Sequence, residues 1–333
     1  MDQLTIIPTT YRDAPASLVI GSELEAVISL RGGHLAALRL RGEPLSPLWV
    51  PPWPAADPRS VVPSAQGAYG DGAEAYLLAG ICGSNLCCDR FGAPWPGESR
   101  PLHGEAGVSS FTRIDHQGHT CSISAYLPQA RLTVERRIAL QGNTCVLSTR
   151  VRHQGGAQRA IEWCEHTNLG PPFLDDVEIQ ADVDAAWNLP GEPEPGYAHY
   201  SREAEIPLGV ALPVPAAHAP ATGTFACARV RTGEQASWSA TSQRLGRRLT
   251  VRFSPHEFPW LGLWTQHGSR QTPPWSGRTR VRGMELSTKP FPEGKPPMVR
   301  ALVYRGRPTT CLVPPGAGLE KTLRFTWERL SQG

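Results

Sequence analysis

Between residues 107 and 168 apolar and polar positions alternate, and turn signals break the alternation at short intervals. "GVSSFTRID" gives way at Gln117-Gly118 to "HTCSISAYL". "RLTVERRIAL" follows, then a turn at Gly142-Asn143, "TCVLSTRVRH", a turn at Gly155-Gly156 and "AQRAIEWCEHTNL". Signals spaced about 8–12 residues apart predict an antiparallel meander of five strands. Within it Cys145, Leu147, Thr149 and Val151 share one face, while Ser148, Arg150 and Arg152 share the other. The same period recurs downstream. Leu249, Val251 and Phe253 alternate with Arg248, Thr250 and Arg252, and Leu323, Phe325 and Trp327 alternate with Arg324, Thr326 and Glu328 in a closing C-terminal strand. A sheet packed on one face and wet on the other requires that pattern.

Helical periodicity is sparse. "AEAYLLAGICG" (73–83) is long enough for two or three turns. The Pro-rich stretches 189–200 and 207–223 read as long excursions between strands, without the composition of a linker between two cores. Gly and Pro, 33 of each, are spread along the whole chain rather than gathered in one tract. No repeat at a propeller or solenoid period is visible. The expectation is a single all-β domain over 1–333, a large antiparallel β-sandwich with few short helices.

Composition narrows the function. Lys and Arg number 33 against 30 Asp and Glu, a net charge of only +3, which gives no electrostatic basis for binding nucleic acid or a membrane surface. Arg278, Arg280 and Arg282 alternate as the wet face of a strand would, with phosphate binding as the other reading. The start, "MDQLTIIPTTYRD", lacks a basic segment followed by an apolar one, and no stretch approaches the roughly 20 apolar residues of a membrane span. The eight cysteines are scattered, without a CxxC pair or zinc-ligand spacing. Free thiols and a cytoplasmic location are therefore expected. HExxH, GxSxG and Gly-rich phosphate loops are all absent from the sequence.

Three short segments carry the candidate chemistry: "PLHGE" (101–105), "EWCEHTNLG" (162–170) and "GMELSTKPFPEG" (283–294). They supply His103, His166 and Glu285. A carboxylate base working with a histidine acid can take a proton from one oxygen and give one to another, which is what opening and reclosing a sugar ring needs. In a strand Glu285 points away from Met284 and Leu286, and Glu165 points away from His166, making Glu165 the weaker candidate.

The order and context of these segments resemble the aldose 1-epimerase (galactose mutarotase-like) family. The resemblance implies the galactose mutarotase-like supersandwich fold, with Glu285 as the base that deprotonates the anomeric hydroxyl and His166 as the acid that protonates the ring oxygen. His103 would hydrogen-bond the sugar near that oxygen, although Glu105 stands where the family has a second glycine. Arg90, in "CGSNLCCDRFG" (82–92), is the best match for the arginine that grips sugar hydroxyls. The family's acidic residue between the histidine and the base has no clear equivalent. "HEFPWLGLWTQHG" (256–268) is the best region for further sugar contacts, with Trp264 and Gln266 as candidates beside Trp260 and His267.

The acid and base are expected on opposite sides of a pyranose-sized space, their tips about 5–8 Å apart. Neither metal nor organic cofactor is implied, since proton transfer alone does the work. The implied partner is a small-molecule carbohydrate, and the implied assembly a monomer or homodimer. Two other readings stand beside the enzyme: a non-catalytic carbohydrate binder or sensor on the same fold, and an epimerase of a phosphorylated sugar. The latter needs two or more arginines at the pocket rim.

Overall fold

The computed structural model describes residues 3–94, 101–114, 119–188, 204–292 and 302–331. The Gln117-Gly118 turn and the excursion at 189–200 lie outside them. Among the described residues the chain forms a twelve-stranded sheet, an eight-stranded sheet and a small two-stranded one, with every strand-to-strand ladder antiparallel. The sheets form the large antiparallel β-sandwich that the sequence predicts, with little helix. No helix among the described residues is long and apolar enough to cross a membrane.

The eight-stranded sheet follows the one-sided alternation. Thr112–Ile114, Cys121–Leu127, Leu132–Gln141 and Thr144–His153 pair in succession as a meander. In Thr144–His153 the residues Cys145, Leu147, Thr149 and Val151 are buried. The C-terminal strand Leu319–Arg329 lies in the middle of this sheet, between Thr144–His153 and Arg247–Phe253. Its inward Leu323, Phe325 and Trp327 join a core cluster that draws on residues from Leu4 to Trp327.

The expected fifth meander strand behaves differently. Arg159–Leu169 leaves the smaller sheet and enters the centre of the larger one. Both its faces are covered there: from Ile161 to Leu169 only Glu162 is more than marginally exposed.

Five neighbours in the larger sheet form the floor of the site. In chain order they are β1 (Ser84–Asp89), β2 (Arg159–Leu169), β3 (Thr222–Val230), β4 (Trp260–His267) and β5 (Arg280–Ser287). In the sheet they run β1-β2-β5-β4-β3. Their inner face packs on the smaller sheet through Leu86, Trp163, Leu261, Leu263, Met284 and Leu286.

Their outer face is roofed. The one α-helix among the described residues, α1 (Ala75–Gly80), is shorter than the predicted 73–83 because the chain turns extended at Ile81. Leu77 and Leu78 pack with Trp49, Trp53, Trp275 and Val281, and Trp53 Nε1 donates to the Leu78 carbonyl at 2.8 Å. All eight cysteines are free thiols, seven buried and Cys311 half-buried.

Candidate functional site

The β-ladders place chemistry in rows across the outer face. Asn85 on β1 pairs with His166 on β2, His166 with Glu285 on β5, Glu285 with Gly262 on β4, and Gly262 with Cys227 on β3. Residues directly opposite in an antiparallel pair project side by side on one face. Glu285 and His166 therefore meet: Nε2 and Oε1 are 2.9 Å apart, and both side chains are almost fully buried.

This geometry replaces the expectation of two groups 5–8 Å apart across a ring. Register forces the contact. The chemistry tolerates it too, because the anomeric oxygen and the ring oxygen of a pyranose are bonded to the same carbon.

The pair lies at the bottom of a cavity of about 330 Å³, lined by His103, His166 and Glu285 among others. Two atoms of the pair, His166 Nδ1 and Glu285 Oε2, are buried and lack a hydrogen-bond partner among the described residues. Buried polar atoms are rarely left so unless a ligand or water completes them. Burial opposes the charged form of His166, but the adjacent Glu285 carboxylate outweighs it and raises the ring's pKa above the usual histidine value.

His103 reaches the cavity from the loop that "PLHGE" predicts. Its backbone is left-handed (φ 63) and is tied down on both sides. Its N–H donates to the Gly92 carbonyl at 2.8 Å, and its Nδ1 accepts from the Gly92 N–H at 3.0 Å. That second bond puts the proton of a neutral His103 ring on Nε2. The ring stacks on Phe91 (centroids 5.5 Å apart) and meets the His166 ring edge-on at 6.0 Å. Glu162 steadies the same loop. It accepts the Phe91 N–H at 3.0 Å and the Lys289 ammonium at 2.7 Å.

Trp264 also lines the cavity, with its ring edge-on to His166 at 5.7 Å. Gln266, two residues along β4, lines an adjoining recess instead. Its Oε1 accepts from the N–H groups of Ser269 (3.0 Å) and Arg270 (3.2 Å), and from the Ser269 hydroxyl.

Arg90 is not among the residues lining the cavity. β1 ends at Asp89, one residue before it, and the Arg90 side chain is buried with Nη1 donating to the Ala93 carbonyl at 3.4 Å. Glu105 accepts the Gln129 and Ala130 N–H groups at 3.2 and 2.6 Å, so it ties its loop to a neighbouring turn. Glu165 points into the space between the sheets, as the alternation predicts, and binds Arg136 at 2.7 Å.

Sequence reasoning missed several lining groups. Arg270 lies over the Trp275 ring, 4.9 Å from its centroid, and donates to Glu74 at 2.8 Å. Arg270 sits in an irregular segment where no pattern marks it, while Glu74 lies at the start of the predicted helical stretch, just before α1, with nothing to single it out. Gly262 and Gly283 did leave a signal, as isolated glycines inside apolar strands. A Cβ on Gly262 would lie 3.0 Å from the Glu285 Cβ and 3.1 Å from Oε2, so this glycine makes room for the carboxylate. Among the described residues no group of three or more His, Cys, Asp or Glu side chains is placed to hold a metal ion.

No family model matches the sequence, and no curated protein matches it either. Solved structures do match across nearly the whole chain. A Klebsiella pneumoniae protein provisionally named an aldose 1-epimerase superposes with a TM-score of 0.69 at 16% identity, covering 97% of this chain and 82% of that one. A galactose mutarotase related enzyme from Lactobacillus acidophilus gives 0.65 at 11% identity, covering 95% and 100%. A galactose mutarotase-like protein from Clostridium acetobutylicum gives 0.65 at 10% identity, covering 98% and 99%. At these identities the likeness establishes the shared fold.

Proposed function

We propose that this chain is an aldose 1-epimerase-like enzyme that interconverts the anomers of a sugar by acid–base opening of its ring. The observation that carries the reading is the Glu285–His166 pair, 2.9 Å apart at the bottom of the cavity, with Oε2 and Nδ1 unpartnered among the described residues. Glu285 takes the proton of the anomeric hydroxyl, and the electrons left on that oxygen form the aldehyde C=O. The bond between C1 and the ring oxygen breaks, its electron pair stays on the oxygen, and the His166 N–H protonates it.

Rotation about C1–C2 then presents the other face of the aldehyde. The former ring oxygen attacks C1 and returns its proton to His166, while Glu285 gives its proton back to the carbonyl oxygen. Both residues end as they began. The raised pKa of His166 keeps it able to donate above the usual histidine range. In this reading His103 Nε2–H would hold a sugar oxygen, and Trp264 would offer an apolar ring face.

The reading carries with it one domain acting in the cytoplasm as a monomer or homodimer, on a small carbohydrate. Nucleic acid and membrane surfaces have no part in it. A phosphorylated substrate loses support. Among the described residues Arg270 is the one arginine lining the cavity, and it is paired with Glu74. Arg280 is paired with Asp175 on another face, and Arg282 is buried against Thr265.

The test is anomer exchange by NMR on freshly dissolved sugars. Catalysed exchange of at least one of them is expected. Exchange no faster than buffer for every sugar that binds would instead establish a non-catalytic binder.

A further inference from the structure

β1 and β2 carry a further pairing on the face that holds Asn85 and His166. Two residues along each strand, Cys87 stands directly opposite Cys164. Of the eight thiols, these are the only two that ladder register sets face to face. Asn168, an even number of residues along β2, donates its N–H to the Gly83 carbonyl opposite at 3.1 Å. Hydrogen-bonded pairs alternate in an antiparallel ladder, so Cys87 and Cys164 also form one, with Cα atoms about 5.5 Å apart. A disulfide spans Cα separations of about 4.4–6.8 Å.

The pair lies just beneath the cavity. Both residues are fully buried and pack with Phe91, and Phe225, which lines the cavity, packs against the same cluster. Cys87 is within hydrogen-bonding reach of the Cys164 thiol and the His103 ring, and Asn85 Nδ2 donates to its Sγ at 3.8 Å. The two thiols are unlike. Burial opposes ionisation of Cys87, but Cys164 and the His103 and His166 rings outweigh it and hold the thiol below its usual range. Burial and the neighbouring Cys87 push Cys164 up. An ionised thiol beside a protonated one is the arrangement by which oxidation proceeds to a disulfide.

We propose that Cys87 and Cys164 are an oxidisable pair, closed to a disulfide by a peroxide and reopened by a thiol reductant, whose closure slows anomer exchange in the cavity above them. The Cys87 thiolate attacks one oxygen of hydrogen peroxide. The O–O bond breaks, the sulfur becomes a sulfenic acid, and the departing hydroxide takes up a proton as water. The Cys164 sulfur then attacks the Cys87 sulfur. The S–O bond breaks, and the second hydroxide leaves as water with the Cys164 proton. The two sulfurs together lose two electrons and the peroxide gains them.

An S–S bond of about 2.05 Å is far shorter than a contact between two thiols, so closure draws Cys87 towards Cys164 and away from His103. His103 meets the His166 ring edge-on, and small displacements of reacting groups are costly. The effect on exchange rests on the epimerase reading, whereas the disulfide itself does not.

The unaltered protein is treated with hydrogen peroxide at a dose that fully oxidises free glutathione, then denatured and alkylated without reductant. Two of the eight thiols are expected to escape alkylation, with fragmentation showing Cys87 linked to Cys164, and all eight should react after dithiothreitol. Exchange should fall by about tenfold on oxidation and recover on reduction. Cys87→Ser should exchange equally fast before and after peroxide. If that variant does not fold, Cys164→Ser serves: dimedone should label its Cys87, because no second thiol is left to resolve the sulfenic acid.

Eight alkylated thiols after peroxide, or a link between other cysteines, would overturn the pair and leave the epimerase reading standing. A Cys87–Cys164 link that leaves exchange unmoved would overturn its control of the site. If the unaltered protein exchanges no sugar, the epimerase reading fails and the mass measurement decides alone: the reversible link keeps the oxidisable pair, and its absence overturns it.

Discussion

Gly283 passes so close to His166 that a Cβ on it would lie 3.0 Å from the ring's Cε1. The same atom would stand 3.0 Å from Glu285 Oε1 and 3.1 Å from Trp264 Cε3. The missing side chain thus keeps the acid, the base and an aromatic wall in contact. Gly283→Ala is expected to displace the pair by a few tenths of an ångström at a stability cost of about 1–3 kcal/mol, typical of overpacking. Exchange should fall by about tenfold or more, since small misplacements of reacting groups are costly. Urea unfolding beside exchange NMR checks both. A variant with unaltered exchange would show that this packing does not position the pair.

The smaller sheet was legible because each of its strands has one wet face, so Cys145-Leu147-Val151 and Leu249-Val251-Phe253 announce themselves by period two. The site strands are covered on both faces and lose that signature. "EWCEHTNL" accordingly reads as one more meander strand, although it crosses to the other sheet. His166 and Glu285 could be picked out by motif, but their contact depends on a register set by pairing across 119 residues of sequence. Arg90 and Gln266 show the limit of reading by position. Each lies a residue or two from a group that lines the site or marks its strand, yet a strand end in one case and a tight turn in the other send the side chain elsewhere. Arg270 belongs to an irregular segment and Glu74 to the cap of α1, and only the folded chain brings them together at the cavity.

Glu165 is the neighbour of His166 that faces inward. Its carboxylate binds Arg136 at 2.7 Å and accepts from Thr149 at 3.0 Å, all within the space between the sheets. Burial raises its pKa, with Arg136 acting against that rise. Glu165→Leu strands a buried guanidinium and is expected to cost about 3–5 kcal/mol in urea unfolding. The double change Arg136→Met with Glu165→Leu should recover most of that loss, because an apolar pair has no charge left to bury. A single variant as stable as the parent would remove this ion pair from the account of the core.

The His166 pKa shift fixes the sign of a pH effect. Its folded value lies above the unfolded value of about 6.5, so the folded state holds its proton more tightly. The stability this contributes is fully present below about pH 6.5 and is lost as pH rises through the folded value. His166→Gln lacks the titration. The stability gap between parent and variant should therefore narrow on the alkaline side of neutrality, with the slope of a single proton. Chemical unfolding at a series of pH values tests this, and a gap that widens with pH would reverse the assignment.

Glu285→Gln tests the base itself. The amide keeps the size of the carboxylate and can accept a hydrogen bond from the anomeric hydroxyl, but it cannot take the proton. Its NH2 group can turn away from His166, whose ring would then lose the neighbouring charge that raises its pKa. Two steps of the mechanism are thus weakened by one substitution, while the contacts that hold the sugar, from His103 and Trp264, remain. Exchange is expected to drop by about 10²–10⁴-fold, the usual worth of a positioned base, with sugar affinity changing far less. Exchange NMR and calorimetric titration on the same samples read the two quantities separately. Equal losses in both would mean that Glu285 only binds, and an undiminished exchange rate would place the base elsewhere in the cavity.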